Sequence, residues 1–221
     1  MQLLQNLKSK EMSKLKWLRP IASSSIFWRF RHFFQPGSIA TYGATKDNSF
    51  ILKLVANEDV SSVLDFGCAA GKDLEKIKDE NQGIAVYGVD INPKAIKSCV
   101  SRFSSKFQGG FFFSTVLDKH ELELFMRRND ISQIDLVLID RVFYCFSERS
   151  IEETLKTLSP VAKMIFIDDF YDEGDTYKGY KHRRWDDIFE RHRYSAHTNI
   201  ETIYSRVEYA NARTMVYKKA D

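Results

Sequence analysis

Two short segments constrain the fold of this chain more than any other feature. Residues 63–71 read VLDFGCAAG, an apolar run that ends in a turn of small residues, and residues 85–90 read AVYGVD, a second apolar run that ends in a carboxylate. An apolar run followed by such a turn and a helix is typical of a strand buried on both faces of a parallel sheet. In these sheets ligands bind beyond the carboxyl ends of the strands. We therefore expect a binding site at the turn 65–71.

The rest of the chain continues the alternation of strands and helices. Predicted strands cover residues 62–66, 84–90, 111–117, 134–139, 164–167, 202–209 and 213–217, and predicted helices cover 47–57, 72–79, 93–106, 120–128, 147–158 and 185–192. Five β–α alternations followed by a strand pair indicate an α/β fold, a doubly wound, mostly parallel seven-stranded Rossmann-like sheet with helices on both faces. At 221 residues the chain has room for one such domain, residues 47–221, behind an N-terminal appendage, residues 1–46.

The appendage is predicted to be helical, with breaks at Pro20 and at the turn formed by Pro36 and Gly37. Its residues 14–34 mix basic and aromatic side chains. Three interpretations are open: a lid over the substrate pocket of the domain, a contact in a homodimer, or a peripheral contact with a membrane surface. We favour the lid, because an amphipathic segment packs more often on its own domain and Pro20 shortens any membrane-bound helix.

The composition indicates a globular protein of a reducing compartment. Lys and Arg outnumber Asp and Glu by only 33 to 30, a balance too even to indicate nucleic-acid binding by bulk electrostatics. The three cysteines have no zinc-site spacing, and the N-terminus does not resemble a secretory signal. We expect a cytoplasmic protein, with the membrane surface as an alternative location through the appendage.

The turn 65–71 carries a chemical argument about its ligand. Gly67 permits a tight turn, Ala69 keeps the backbone accessible and Gly71 lets the next helix start close to the sheet. Asp65 would repel a dinucleotide pyrophosphate, whereas it suits S-adenosylmethionine, which carries an ammonium and a sulfonium. Asp90 ends the second strand, where a carboxylate accepts hydrogen bonds from both ribose hydroxyls of an adenosine.

On these two motifs, residues 61–217 resemble the class I S-adenosylmethionine-dependent methyltransferases. The resemblance implies that the small-residue turn and its acid hold the methionine portion of the donor, and that Asp90 holds the ribose. It also implies that Ile91 packs on the adenine, that Asp118 contacts the adenine amino group, and that Tyr42 faces the donor. The turn residues that take the first role are Asp65, Gly67, Cys68, Ala69 and Gly71, of which Ala69 replaces a commoner glycine.

The sequence says less about the residues that would bind and activate the methyl acceptor. Asp140 ends the fourth strand, and Asp168 and Asp169 end the fifth, so their carboxylates are candidate ligands for Mg²⁺. This arrangement resembles catechol-type and macrolide-sugar O-methyltransferases, which hold a divalent metal with acids at these strand ends. Asp140 is also a candidate catalytic residue. A metal-free alternative uses a histidine as base, with His120 and His182 as the candidates.

The leading hypothesis is therefore O-methylation of a small molecule such as a sugar or glycan precursor. DNA is not an expected partner, because residues 140–143 read DRVF and lack the Pro-Pro-aromatic sequence of enzymes that methylate DNA base amino groups. RNA methylation stays open through the basic patches. A noncatalytic binding module of the same fold and a nicotinamide-dependent oxidoreductase are the remaining alternatives.

Overall fold

The computed structural model describes residues 49–107, 109–115, 119–171, 176–177, 180–200 and 212–220. Among them the helices are α1 (Ser49–Asn57), α2 (Lys72–Glu80), α3 (Pro93–Lys106), α4 (Lys119–Arg128), α5 (Glu148–Leu158) and α6 (Trp185–Arg191), with a short 3₁₀ helix at Phe143–Cys145. The strands of the sheet are β1 (Ser62–Phe66), β2 (Ala85–Val89), β3 (Phe111–Ser114), β4 (Ile134–Asp140), β5 (Ala162–Phe170), β6 (Tyr194–Ile200) and β7 (Ala212–Lys219). None of the helices within these ranges is long and apolar enough to span a bilayer.

Side-chain caps fix where two of the helices begin. The Asn92 side chain accepts a hydrogen bond from the Lys94 N–H at 3.0 Å, and Pro93 occupies the first turn of α3, as the sequence predicted. The Ser147 hydroxyl oxygen accepts a hydrogen bond from the Ser150 N–H at 3.1 Å at the start of α5. Both caps satisfy backbone donors that the helix itself leaves open.

The seven strands lie in the order β3-β2-β1-β4-β5-β7-β6. Strands β1 to β5 are mutually parallel, and β7 runs antiparallel to both β5 and β6. This confirms the predicted doubly wound sheet. The strand that pairs with β7 is Tyr194–Ile200, which follows α6 closely, whereas the predicted strand 202–209 lies outside the described residues.

Alternate residues of the central strands feed two separate hydrophobic clusters. In β4, Val137 and Ile139 pack with the helices α4, α5 and α6, whereas Leu136 and Leu138 pack with α1, α2 and α3. We call the face of α1, α2 and α3 the donor-helix face. Since successive side chains of a strand point to opposite faces, the same alternation decides which face each carboxylate at the strand ends takes.

The amino ends of three strands are tied together by the carboxylate of Asp135. Its Oδ2 accepts hydrogen bonds from the backbone N–H groups of Ser61 and Ser62 at 2.9 and 3.0 Å and from their hydroxyls at 2.6 and 3.0 Å. Its Oδ1 accepts a hydrogen bond from Lys163 Nζ at 2.6 Å. This network joins β1, β4 and β5 at the edge opposite the turn 65–71.

Candidate active site

The turn that follows β1 uses left-handed backbone at three positions. Gly67, Ala69 and Gly71 have φ values of 92°, 46° and 70°. The N–H groups of Gly67 and Cys68 both donate to the carbonyl of Val89, at 2.8 and 3.0 Å, and the Gly71 N–H donates to the Cys68 carbonyl at 2.7 Å. These backbone donors therefore bind protein oxygens, whereas a pyrophosphate-binding turn presents its donors to phosphate.

Asp90 lies beside this turn and completes it. Its Oδ2 accepts a hydrogen bond from the Ala69 N–H at 3.0 Å, and its Oδ1 accepts one from the Asn92 N–H at 2.8 Å. Burial raises the pKa of Asp90, and these two hydrogen bonds lower it in part. A carboxylate has about four acceptor positions, so about two remain for hydroxyl donors of a ligand. The side chain is partly exposed, which fits the predicted binding of a ribose.

Two glycines leave room for the thiols that pack under the turn. A Cβ on Gly88 would lie 2.9 Å from Cys68 Sγ, and a Cβ on Gly71 would lie 3.0 Å from Cys99 Sγ. Cys99 Sγ lies 3.2 Å from the carbonyl oxygen of Ala69 and donates to it. Burial raises the pKa of the Cys68 thiol, which is almost fully covered. Cys68 thus supports the turn through its backbone, which is bonded to Val89 and Gly71, and through its buried side chain.

Of the other residues predicted to contact the donor, Asp65 and Ile91 lie next to the turn, and the rest lie outside the described residues. Asp65 is 4% exposed and lies between Gly88 of β2 and Leu138 of β4 in the sheet register, directly before the turn. Ile91 is partly exposed next to Asp90, as expected of a residue that packs on a base. Asp118, Tyr42 and the whole appendage 1–46 lie outside the described residues, so their predicted roles stay predictions.

The carboxyl ends of β4 and β5 meet at Asp140 and Asp168, which face each other in the parallel register. Arg141 follows with a left-handed φ of 56°, donates from its Nε to Asp168 Oδ1 at 2.9 Å, and donates its backbone N–H to the Asp168 carbonyl at 2.8 Å. Asp168 is thereby neutralised by a largely buried guanidinium. Asp140 is the partly exposed carboxylate of the pair.

Asp169 points to the other face of the sheet, away from Asp168 and the donor-helix face. Its Oδ2 accepts a hydrogen bond from the Tyr144 N–H at 2.9 Å and its Oδ1 accepts one from the Phe170 N–H at 2.7 Å. Burial raises the pKa of Asp169 to about 7, although both hydrogen bonds and the charge of Arg141 lower it in part.

This arrangement corrects the predicted magnesium site. Asp168 and Asp169 are consecutive in an extended strand, so their carboxylates diverge, and Asp168 already has a cationic partner in Arg141. Within the part of the chain that the structure describes, no group of three His, Cys, Asp or Glu side chains is placed to hold a metal ion. Asp140, the partly exposed member of the facing pair, stays a candidate catalytic residue.

The predicted histidine bases differ in their surroundings. His120 is exposed in the first turn of α4. His182 is buried, and its ring stacks on Phe170 with centroids 5.2 Å apart and planes 9° apart. These contacts assign no proton-transfer role to either histidine.

The structure also brings Arg141, Val142 and Arg183 to this end of the sheet, and Arg141 and Val142 were not predicted site residues. A Cβ on Gly67 would lie 2.4 Å from Val142 Cγ2, so the segment after β4 packs directly on the turn 65–71, which we call the donor turn. Arg183 is buried and donates to the carbonyl groups of Phe143 and Phe146. Arg141 could have been found from the sequence, because it directly follows the acidic end of an apolar strand. The contacts of Val142 and Arg183 join distant segments and have no local sequence signal.

Residues 64–164 match the family profile described as a methyltransferase domain. A search of curated protein sequences gives no match to this chain.

Three solved structures share the fold. Magnesium protoporphyrin IX methyltransferase from Synechocystis PCC 6803, with bound S-adenosylhomocysteine, is 16% identical with a TM-score of 0.62 over 92% of this chain and 98% of that one. The 1,6-didemethyltoxoflavin-N1-methyltransferase of Burkholderia thailandensis is 13% identical with a TM-score of 0.66 over 89% and 88%. The StiE O-MT is 14% identical with a TM-score of 0.56 over 78% and 74%.

Proposed function

We propose that this chain, whose residues 64–164 match a methyltransferase-domain profile, is an S-adenosylmethionine-dependent enzyme that transfers a methyl group to an oxygen atom of a small-molecule acceptor. The position of Asp140 is the observation that carries the proposal. It is a partly exposed carboxylate at the carboxyl end of β4, next to the strand that leads into the donor turn. A carboxylate there can accept the proton that a hydroxyl loses as it is methylated.

The residues of the donor turn support the first half of this proposal. S-adenosylmethionine supplies a methyl group on a sulfonium, so its transfer needs alignment with the acceptor and exclusion of water. Asp65 places negative charge next to the turn, and Asp90 keeps acceptor positions for a ribose. In the transfer, a bond forms between the acceptor oxygen and the methyl carbon, the carbon–sulfur bond breaks, and Asp140 takes the hydroxyl proton.

The solved structures favour a small acceptor. One is named for magnesium protoporphyrin IX, one for N1-methylation of 1,6-didemethyltoxoflavin, and a third is named as an O-MT. Of the facing pair Asp140 and Asp168, Asp168 is paired with Arg141, and we assign the role of base to Asp140.

A panel assay tests the proposal. Purified protein is incubated with S-adenosylmethionine labelled in the methyl group and with pools of phenols, hydroxyl-bearing sugars, amines and a structured RNA, and labelled product is identified by mass spectrometry. Label on a hydroxyl oxygen of a small molecule, lost in Asp140→Asn, is the expected result. Label only on RNA or on nitrogen would overturn the acceptor assignment, and donor binding without transfer to any pool would indicate a noncatalytic module.

Metal dependence is tested in the same assay. Transfer that continues at the same rate in excess EDTA agrees with Asp140 acting alone. Loss of transfer on chelation, restored by added Mg²⁺, would contradict a metal-free reaction in which Arg141 neutralises Asp168.

A further inference from the structure

Two buried charges hold the segment that follows β4, which we call the β4 loop and define as residues 141–146. Asp169 Oδ2 accepts a hydrogen bond from the Tyr144 N–H at 2.9 Å. Arg183 donates from Nη1 to the Phe143 carbonyl at 3.2 Å and from Nη2 to the Phe146 carbonyl at 2.7 Å. Asp169 lies near the end of β5, and Arg183 lies just before α6. Asp169 accepts a hydrogen bond from an N–H group of the loop, whereas Arg183 donates to two of its carbonyl groups.

Both of these side chains are removed from water. Asp169 is 0% exposed and Arg183 is 7% exposed. Burial lowers the pKa of Arg183, while the charge of Asp169 raises it. Buried ionic groups often contribute little net stability compared with apolar residues of similar size, so their presence at this loop suggests a positional role rather than a stabilising one.

Arg183 is itself anchored to the end of β5. Its guanidinium carbon lies 5.7 Å from the centre of the Trp185 ring, and Trp185 Nε1 donates a hydrogen bond to the Phe170 carbonyl at 3.0 Å. The planar fork of arginine reaches two carbonyls at once, which a lysine ammonium on a flexible stem does less well. The β4 loop is therefore fixed relative to β5 as well as to β4.

The other end of the β4 loop touches the donor turn. Val142 fills the space over Gly67, since a Cβ at Gly67 would come within 2.4 Å of Val142 Cγ2. Asp140, the proposed base, immediately precedes the β4 loop. Movement of this loop would thus shift Val142 relative to Gly67, and the backbone that follows Asp140, without changing the hydrogen bonds that hold the turn to Val89 and Asp90.

We infer that Asp169 and Arg183 are positioning residues for methyl transfer, which hold the β4 loop so that the acceptor side stays aligned with the donor turn. This inference rests on the proposed function for its catalytic consequence. Its structural part, the restraint of the β4 loop by two distant side chains, stands apart from any acceptor.

Hydrogen exchange with and without S-adenosylhomocysteine tests the inference. The variants are Arg183→Gln, the milder Arg183→Lys, Asp169→Asn, and Arg184→Gln as a matched control, because Arg184 is exposed and pairs with the exposed Asp187 at 3.4 Å. We expect at least tenfold faster amide exchange in the peptide covering the β4 loop of Arg183→Gln, an intermediate increase in Arg183→Lys, and no increase in Arg184→Gln or in a peptide from α3.

Kinetics supply the second readout. With an acceptor found in the panel assay, Arg183→Gln is expected to lower kcat at least tenfold and to change KM for the donor less than threefold, with part of kcat recovered in Arg183→Lys. Unchanged exchange of the β4 loop in both Arg183→Gln and Asp169→Asn would overturn the inference, as would an equal increase throughout the protein. Failure of the proposed function would show separately, as wild-type protein that does not bind S-adenosylhomocysteine in calorimetry.

Discussion

The carboxylate of Asp90 accepts a hydrogen bond from the backbone N–H of Ala69 at 3.0 Å, which joins the end of β2 to the turn after β1. Ala69 needs this restraint because its backbone is left-handed, a conformation that costs about 1–2 kcal/mol for a residue with a Cβ. One side chain thus shapes the turn, and in the proposed function its remaining acceptor positions bind the ribose of the donor.

Replacing Asp90 by alanine is expected to weaken binding of S-adenosylhomocysteine by about 1.5–3 kcal/mol or more, the range for a lost hydrogen bond to a charged group. Isothermal titration calorimetry measures this as a change of about tenfold to more than a hundredfold in Kd. Glu80→Gln, at the exposed end of α2, is the control and should bind like the wild type. Equal affinity in Asp90→Ala would refute the assignment of the ribose contact.

Gly67→Ala is expected to disturb the donor turn by two separable effects. Gly67 has a φ of 92° and its added Cβ would overlap Val142, whereas Gly109 has a φ of 66° but no described neighbour within 4 Å of an added Cβ. Gly109→Ala therefore carries only the backbone strain, about 1–2 kcal/mol. Urea denaturation should show the larger loss in Gly67→Ala, and calorimetry should show weakened donor binding in that variant alone. Equal losses in the two variants would show that contact with Val142 is unimportant.

Stability should depend on pH through Asp169. An unfolded aspartate releases its proton at about pH 4, whereas burial raises the pKa of folded Asp169 to about 7. Between these values the folded state binds more protons than the unfolded state, so the free energy of unfolding falls as pH rises through that window. The stability that Asp169 contributes is therefore fully present below about pH 4 and is lost as the pH rises towards 7.

Asp169→Asn removes this titration and supplies the comparison. Both proteins are denatured with urea between about pH 4 and pH 8. As the pH rises, the free energy of unfolding of the variant should increase relative to that of the wild type. Parallel curves across the window would mean that Asp169 ionises in the folded protein at its ordinary pKa.

Asp135→Ala should destabilise the fold and leave the donor site intact. Burial raises the pKa of Asp135, but hydrogen bonds from Lys163, Ser61 and Ser62 outweigh this effect and hold the pKa well below its usual range. Its stabilisation is therefore present above about pH 4 and is lost as the pH falls. At neutral pH we expect a loss of about 3 kcal/mol, near the upper end for hydrogen bonds to a charged group.

The control for Asp135→Ala is Lys163→Ala, which removes one exposed partner and should cost under about 1 kcal/mol. Binding of S-adenosylhomocysteine by folded Asp135→Ala should match the wild type, because Asp135 lies at the amino edge of the sheet. Loss of donor binding in protein that calorimetric melting shows to be folded would contradict the separation of the two edges.

Much of the fold could be predicted because its signals are local. Strand β1 and the start of α3 coincide with the predicted residues 62–66 and 93, since an apolar run and an Asn-Pro cap act within a few residues. The strand that pairs with β7 is residues 194–200, which the sequence did not assign to a strand, and the predicted strand 202–209 lies outside the described residues.

The carboxylates of β5 show the same difference between what local sequence predicts and what contacts between distant segments decide. The sequence places Asp168 and Asp169 at a strand end and identifies them as candidate ligands, but extended backbone turns them to opposite faces of the sheet. Arg141 then meets Asp168, and the Tyr144 N–H meets Asp169. Such partners lie more than twenty residues away in the chain, so no local pattern announces them.

At the proposed donor site, the sequence by itself determined which groups are present: a small-residue turn after Asp65 and a carboxylate at Asp90 follow from residue identity and strand periodicity. Only the tertiary structure decided how the acceptor side is organised, namely that Asp140 stays partly exposed, that Arg141 neutralises Asp168, and that Asp169 and Arg183 hold the β4 loop. The physical reason is the range over which each interaction acts. Backbone conformation and side-chain alternation follow from neighbouring residues, whereas charge pairing and close packing depend on which distant segments the folded sheet brings together.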